Sequence, residues 1–376
     1  GGAPLCSIHR GRGENGEAER IMGNSFALLL LFGAGLTVLC LAFRRPILYL
    51  FGASDVTFPY ANDYLTIYVL GTVFVMIGLG MNPFINSQGF SGMGMLTVAL
   101  GAVVNIVLDP IFIFLLGMGV RGAALATVIS QACSAVWVLC FLTGRRVILR
   151  LRPAALRLRW ARVRRILALG ASGFAMSMTN SLVQVLCNAS LQVYGGDLYV
   201  GVMTVINSVR EVVSMPVQGI TNGCQPVLGY NYGAGKYARL RQAFRFTLIL
   251  GQVCMTLVTV GAFFAAPWLV QTFRNDPEVV RIGALACRLQ CCAMLFVPAT
   301  TCANMLFQSI GESASATFLS CLRQGVYYLP LILILPYTIG LLGVQAAQPA
   351  ADLLTFLTCI PFLIRFFRRL PRQDKA

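Results

Sequence analysis

The chain has 376 residues, of which 57% are hydrophobic and only 11% charged, against about 25% charged in a soluble domain, so it reads as a polytopic membrane protein. The formal net charge of +16 invites a nucleic-acid partner, but 21 of the 29 Lys and Arg fall in four places: 10–20, 145–165, 236–245 and the tail after Ile364. Those places face one side if apolar helices simply alternate, which is the positive-inside pattern of a cytoplasmic face and argues against nucleic acid. His9 is the single histidine, and no paired carboxylates or nucleophile motif supports an enzyme. The thirteen Cys are scattered through apolar segments without metal spacing and read as small apolar helix residues.

A bilayer-spanning helix needs roughly twenty mostly apolar residues. In chain order, ten segments qualify: 24–50, 58–85, 92–114, 120–143, 166–195, 197–224, 243–267, 279–307, 314–338 and 344–366. Ahead of them, Gly1-Gly2-Ala3-Pro4-Leu5 reads as the end of a helix without an initiating Met. About one helix and most of another are therefore expected upstream. Connections are short except 144–165, which holds nine Arg and no acid, with Trp160 and several Leu among them. Two readings stand for it: an amphipathic helix on anionic headgroups, or a solvated basic linker.

The chain also repeats itself at an offset of 222. Pro4 pairs with Pro226, Gly11 with Gly233, Gly13 with Gly235, Thr37 with Thr259, Phe74 with Phe296, Asn82 with Asn304 and Gly89 with Gly311. With the upstream helices, each copy holds six spans. An even number gives both copies one orientation, hence parallel repeats of the kind transporters use. The expected fold is all-α, two pseudo-symmetric helical bundles: 1–143, a basic linker 144–165 on the cytoplasmic side, and 166–376 with a basic tail.

Rare intramembrane polar groups are the candidate functional residues, because an ionisable side chain in a span is costly and by default marks a pathway or ion site. Asp109 is the clearest. Asn105 lies one turn earlier on the same face, and Pro110 interrupts the backbone ladder, freeing carbonyls. Thr127 on the next helix adds a hydroxyl. Such oxygens suit a hard cation, and a desolvated carboxylate suits a proton. The alternative is a structural Asp109 near a helix end, bonded to backbone or to Arg121. The second half offers Arg210, Glu211, Gln218, Arg323, Gln324 and Asp352, either as an ion-pair network (Arg323 with Glu211, or Asp352 with an arginine) or as a substrate-facing patch. Asn180, Gln184 and Asn188 recur at four-residue spacing as a polar stripe, facing a cleft or joining helices. Pro83, Pro216, Pro226 and Pro330 are expected to bend or unwind their helices.

Two longer motifs carry a family resemblance. Gln225-Pro226-Val227-Leu228-Gly229-Tyr230-Asn231-Tyr232-Gly233-Ala234-Gly235 resembles the loop after the eighth helix of the multidrug and toxic compound extrusion (MATE) family. Asn105-Ile106-Val107-Leu108-Asp109-Pro110, followed by Gly119-Val120-Arg121-Gly122-Ala123-Ala124-Leu125-Ala126-Thr127, is similar to its fifth and sixth helices. The resemblance spans essentially the whole chain. It implies efflux of small amphipathic or cationic compounds in exchange for Na⁺ or H⁺, by alternating access of two bundles. It also implies a multi-pass plasma-membrane location, no organic cofactor, and a pathway formed by one chain. By spacing, the family's first-bundle cation site maps onto Asn105, Asp109 and Thr127, although its acidic residue on helix one has no counterpart here. Segments 166–195 and 279–307 hold no Asp or Glu, so the second-bundle site of one family branch is not expected. Two rivals remain. A lipid-linked oligosaccharide flippase of the same superfamily would turn Arg210, Arg288 and Arg323 toward the cleft. An inactive truncated fragment would move nothing.

Overall fold

A computed structural model describes residues 1–50, 55–145, 147–273, 277–371 and 374, and all regular structure among them is helical. The reason is solvation: hydrocarbon offers no hydrogen-bond partners, so each apolar segment satisfies its own backbone by forming a helix. The chain divides into two units, Gly2–Ile166 and Leu167–Ala376.

The first unit contains α1 (Gly2–Gly11), α2 (Asn15–Ala42), α3 (Arg44–Leu50), α4 (Phe58–Leu70), α5 (Thr72–Ser87), α6 (Ser91–Pro110) and α7 (Gly119–Thr143). α7 is its central strut and packs against α4, α5 and α6. α4 and α5 form one span bent by 53° at Gly71, and α6 runs directly into a π-helical turn, Ile111–Leu115. The first span differs from expectation: it covers Asn15–Ala42 rather than 24–50, and α3 is separate. Its polar start stays helical with Glu17 and Glu19 partnered by the 144–165 segment and Arg20 paired to Glu17 one turn away.

That segment is neither a lipid-lying helix nor a free linker. It crosses the end of α2 as a strap, with one 3₁₀ turn at Pro153–Leu156 and with Leu149 and Ala155 buried. Fully buried Asn24 is its main fastener. The Asn24 amide donates to the carbonyls of Ala155 and Arg157 at 3.0 Å, and its oxygen accepts from the Arg159 amide at 3.0 Å. Gln88 accepts from the Leu149 amide at 2.8 Å and Glu19 from the Arg150 amide at 2.9 Å. Arg162 grips Glu17 through two bonds of 2.5 and 2.8 Å. Strap backbone that a helix would have satisfied is thus satisfied by side chains.

The second unit contains the rest of α8 (Trp160–Gly233), then α9 (Tyr237–Phe273), α10 (Pro277–Met294), α11 (Val297–Ser309), α12 (Ser313–Cys321), a π-helical stretch (Leu322–Tyr328), α13 (Leu329–Ile339) and α14 (Leu341–Arg369). α8 is not straight. Thr179 lies against Gly325, while Arg210 reaches Asp352, which also holds Arg323. A straight helix would set Thr179 and Arg210 roughly 46 Å apart, so α8 folds back between them. α10 and α11 form a span bent by 45°. Nine of the ten expected spans coincide with apolar helices or bent pairs of spanning length. The tenth, 197–224, falls in the part of α8 that holds many side chains outside the described residues.

The duplication is visible in the backbone itself. α1 ends at Gly13 (φ 79°) and α8 at Gly235 (φ 69°); α5 ends at Gly89 (φ 91°) and α11 at Gly311 (φ 83°). At each end the same two bonds close the helix: Gly13 to Arg10 and Glu14 to His9, Gly235 to Tyr232 and Lys236 to Asn231, Gly89 to Asn86 and Phe90 to Ile85, Gly311 to Gln308 and Glu312 to Phe307. These are Schellman caps, which need a left-handed residue and therefore glycine. Both pairs sit 222 residues apart. The bent spans α4–α5 and α10–α11 also correspond across the copies. Their bends do not lie at the expected Pro83; the break falls at Gly71 in one copy and beside Phe296 in the other.

Candidate functional site

In the first unit, α6 carries Asn105 and Asp109 on one face and packs antiparallel to α7. Ser134 donates to the Thr97 carbonyl at 3.1 Å, and Gly101 faces Ser134 and Ser130. Continuing that register by two turns sets Thr127 at the level of Asn105. Asn105 and Asp109 are each half-buried, yet the Asn105 amide nitrogen and one Asp109 carboxylate oxygen are wholly buried with no hydrogen-bond partner. Asn62 on α4 has a buried amide oxygen in the same condition. Sequence reasoning passed over Asn62; the available signal was an amide inside an apolar span.

Arg121 is not the partner of Asp109. It bonds Asp63 at 2.9 Å instead. Thr127 donates to the Ala123 carbonyl at 2.9 Å, which leaves its oxygen lone pairs available, and it forms no direct bond to Asn105 or Asp109. Past Pro110, the π turn closes with the Leu116 amide on the Ile111 carbonyl at 2.9 Å. Leaving a buried polar atom unpaired costs about 1–3 kcal/mol. A carboxylate oxygen and an amide oxygen of this kind on neighbouring helices are chemically suited to a hard cation or a proton.

The second unit treats its carboxylate in the opposite way. Asp352 on α14 is 2% exposed and takes Arg210 at 2.8 Å on one oxygen and Arg323 at 2.6 Å on the other, with Gln348 at 3.1 Å. Arg210 also reaches Gln290 at 3.4 Å, and Gln290 reaches the Gln345 carbonyl at 3.4 Å. Arg323 therefore pairs with Asp352 and not with Glu211. Glu211 and Gln218 are exposed, and Glu211 forms no ion pair among the described residues. Gln324 is half-buried with its oxygen unpartnered. Asn180 and Gln184 lie exposed on the first half of α8, apart from this cluster, and the Asn188 side chain lies outside the described residues. Gln290 and Gln348 were missed because only charged groups were sought on those spans; Gln348 sits one turn before Asp352, a readable signal. Arg288, the third arginine of the flippase reading, is exposed and lies over the Phe263 ring at 5.4 Å.

Comparison with known proteins gives this arrangement its context. The MatE family model matches residues 1–111 and 173–334. The multidrug export protein MepA of Staphylococcus haemolyticus is 25% identical over 351 residues, 92% of this chain and 76% of that protein. An FAD transporter of Shewanella oneidensis is 26% identical over 370 residues, 93% of this chain and 78% of that one. Among solved structures, the MATE multidrug transporter DinF-BH superposes with a TM-score of 0.86 at 36% identity, covering 97% of this chain and 82% of that one. An outward-facing MATE transporter of the MOP superfamily shares the fold, with a TM-score of 0.93 at 21% identity over 99% of this chain and 84% of that one. Two duplicated bundles, the apolar spans and these matches agree: the chain belongs to the MATE family of multidrug efflux transporters.

Proposed function

We propose that the protein is a plasma-membrane antiporter. It exports small amphipathic or cationic compounds in exchange for Na⁺ or H⁺, with Asn105, Asp109 and Thr127 as its coupling site. The observation that carries this reading is the unpartnered buried oxygen of Asp109 beside an unpartnered Asn105 amide in a membrane helix. In this reading the Asp109 carboxylate alternately takes and releases the coupling ion. Its occupancy changes which orientation of the transporter is favoured, so ion entry drives substrate exit. The strap and the C-terminus lie on the cytoplasmic side, as the basic stretches indicate. A single chain forms the pathway, without an organic cofactor or nucleic acid.

The test reconstitutes the full reading frame in liposomes and follows a fluorescent organic cation under imposed Na⁺ or pH gradients, with and without Asp109→Asn. Gradient-driven movement abolished by the substitution supports the coupling site. Movement that survives it removes Asp109 from the coupling role. A second reading of the substrate rests on the excess positive charge of Arg210 and Arg323 around one carboxylate. The relative that transports FAD gives the matching probe: an anionic dinucleotide in the same liposomes, whose movement in place of the cation would assign an anionic substrate. The pairing of both arginines to Asp352 weighs against the flippase alternative.

A further inference from the structure

We infer that the first unit holds a binding site for the phosphate headgroup of an anionic phospholipid, at the end where the strap enters α8. A cavity of about 190 Å³ opens there, lined by Leu5, His9, Glu17, Ile21 and three arginines, Arg159, Arg162 and Arg165. Each arginine is held differently. The Arg159 backbone is fastened by Asn24 and the Arg162 guanidinium by Glu17. The side chains of Arg159 and Arg165 are exposed and carry no ion pair or hydrogen bond among the described residues. Glu17 is balanced by Arg162, which leaves the cavity with two uncompensated positive charges.

His9 completes the wall. It is 7% exposed, and its Nδ1 faces Glu14 at 2.5 Å, which orients the ring. Its Nε2 has no partner among the described residues. A cluster of arginine forks at the start of a helix, whose dipole favours an anion, matches phosphate chemistry.

The lipid source follows from position. The cavity sits where two apolar spans start, Asn15–Ala42 and Trp160–Gln184. Leu5 and Ile21 make its inner wall apolar, and the exposed Leu158 and Trp160 (74%) flank the lining residue Arg159 in sequence. Trp at a span end marks the headgroup level. The volume accommodates a phosphodiester and a short headgroup, with the acyl chains outside along the helices. This inference is independent of the coupling site proposed above.

The test titrates the purified full-length protein in neutral detergent with phosphatidylglycerol, phosphatidylcholine or inorganic phosphate, reading bound lipid by native mass spectrometry and the thermal midpoint in parallel. The expected result is retention of phosphatidylglycerol over phosphatidylcholine and a raised midpoint with phosphatidylglycerol alone. Arg159→Gln combined with Arg165→Gln should weaken that retention about thirtyfold, since each basic residue near an anionic surface contributes roughly fivefold. Both side chains are exposed, so folding is preserved. Arg164→Gln, exposed but outside the cavity, should leave binding intact. The proposal is overturned by equal retention of the two lipids, by unchanged binding in the double variant, by equal loss in the Arg164 control, or by inorganic phosphate reproducing the shift and displacing the lipid.

Discussion

Asp109 and Asp352 are both carboxylates on apolar helices of one duplicated architecture, yet the chain handles them in opposite ways. Asp352 is buried between two arginines and a glutamine, with both oxygens in charge-assisted bonds. Asp109 has a buried oxygen with nothing to accept from, and the arginine closest in sequence, Arg121, is committed to Asp63. The position matching Asp109 in the second copy is Leu331, so neither carboxylate has a counterpart in the other half. Duplication preserved the frame, and the polar contents diverged. A buried charge with both oxygens paired is costly to break, whereas a buried oxygen left unpaired carries a desolvation cost that a partner would relieve.

The sharpest way to break this contrast is to neutralise each acid in turn. Asp109→Asn should reduce gradient-driven transport to the leak level. It should change the thermal midpoint in detergent little or raise it slightly, because an unsatisfied carboxylate is exchanged for a neutral isostere. A large loss of stability with transport retained would make Asp109 structural and erase the distinction. Asp352→Asn should do the reverse to stability. Two guanidinium groups would lose their shared counter-charge in a buried site, at a cost of about 3–5 kcal/mol. Chemical denaturation in detergent reads this directly. A cost below about 1 kcal/mol, the range of an exposed pair, would show that the cluster is solvated in the working protein.

A third substitution addresses how the strap is held. Asn24→Ala removes one side chain that serves three strap backbone groups, leaving the Ala155 and Arg157 carbonyls and the Arg159 amide without it. The expected loss is about 2–3 kcal/mol, with faster amide exchange confined to 149–159. Unchanged exchange there would mean that the Glu17–Arg162 pair and the Gln88 and Glu19 contacts hold the strap alone.

Much of the frame was legible in the sequence because its causes are periodic or local. Hydropathy marks a span through its length, and a register of 222 survives in Gly13/Gly235 and Gly89/Gly311 because Schellman caps tolerate little but glycine. Asn105 and Asp109 were legible because four-residue spacing sets one helix face. The rest depends on partners far apart in the chain. The strap could not be told from a headgroup-lying helix or a solvated linker because its acceptors, Asn24, Glu17, Glu19 and Gln88, lie 61 to 145 residues away. The Asp352 cluster draws on α8, α10, α14 and the π stretch before α13, and no spacing rule links them. The α4–α5 bend escaped notice because it falls at Gly71 and not at a proline.

The smallest effect tests the frame itself. Gly13 and Gly235 hold φ of 79° and 69° in matching caps of the two units. Around Gly13 a Cβ would meet nothing within 4 Å, so Gly13→Ala has no steric clash to complicate it and the cost is that of the backbone alone. A left-handed conformation costs an L-residue about 1–2 kcal/mol. Gly13→Ala should therefore destabilise by an amount within that range, and Gly235→Ala, at a position buried where Gly13 is exposed, by at least as much, each measured by thermal unfolding of the purified protein. Asn, which tolerates the left-handed region better, should restore part of the loss at both positions. A penalty at both glycines would mean that the caps were inherited as geometry while the buried charges were not. A penalty at only one glycine would show that the two frames have also begun to diverge, with the cheaper cap already free to open.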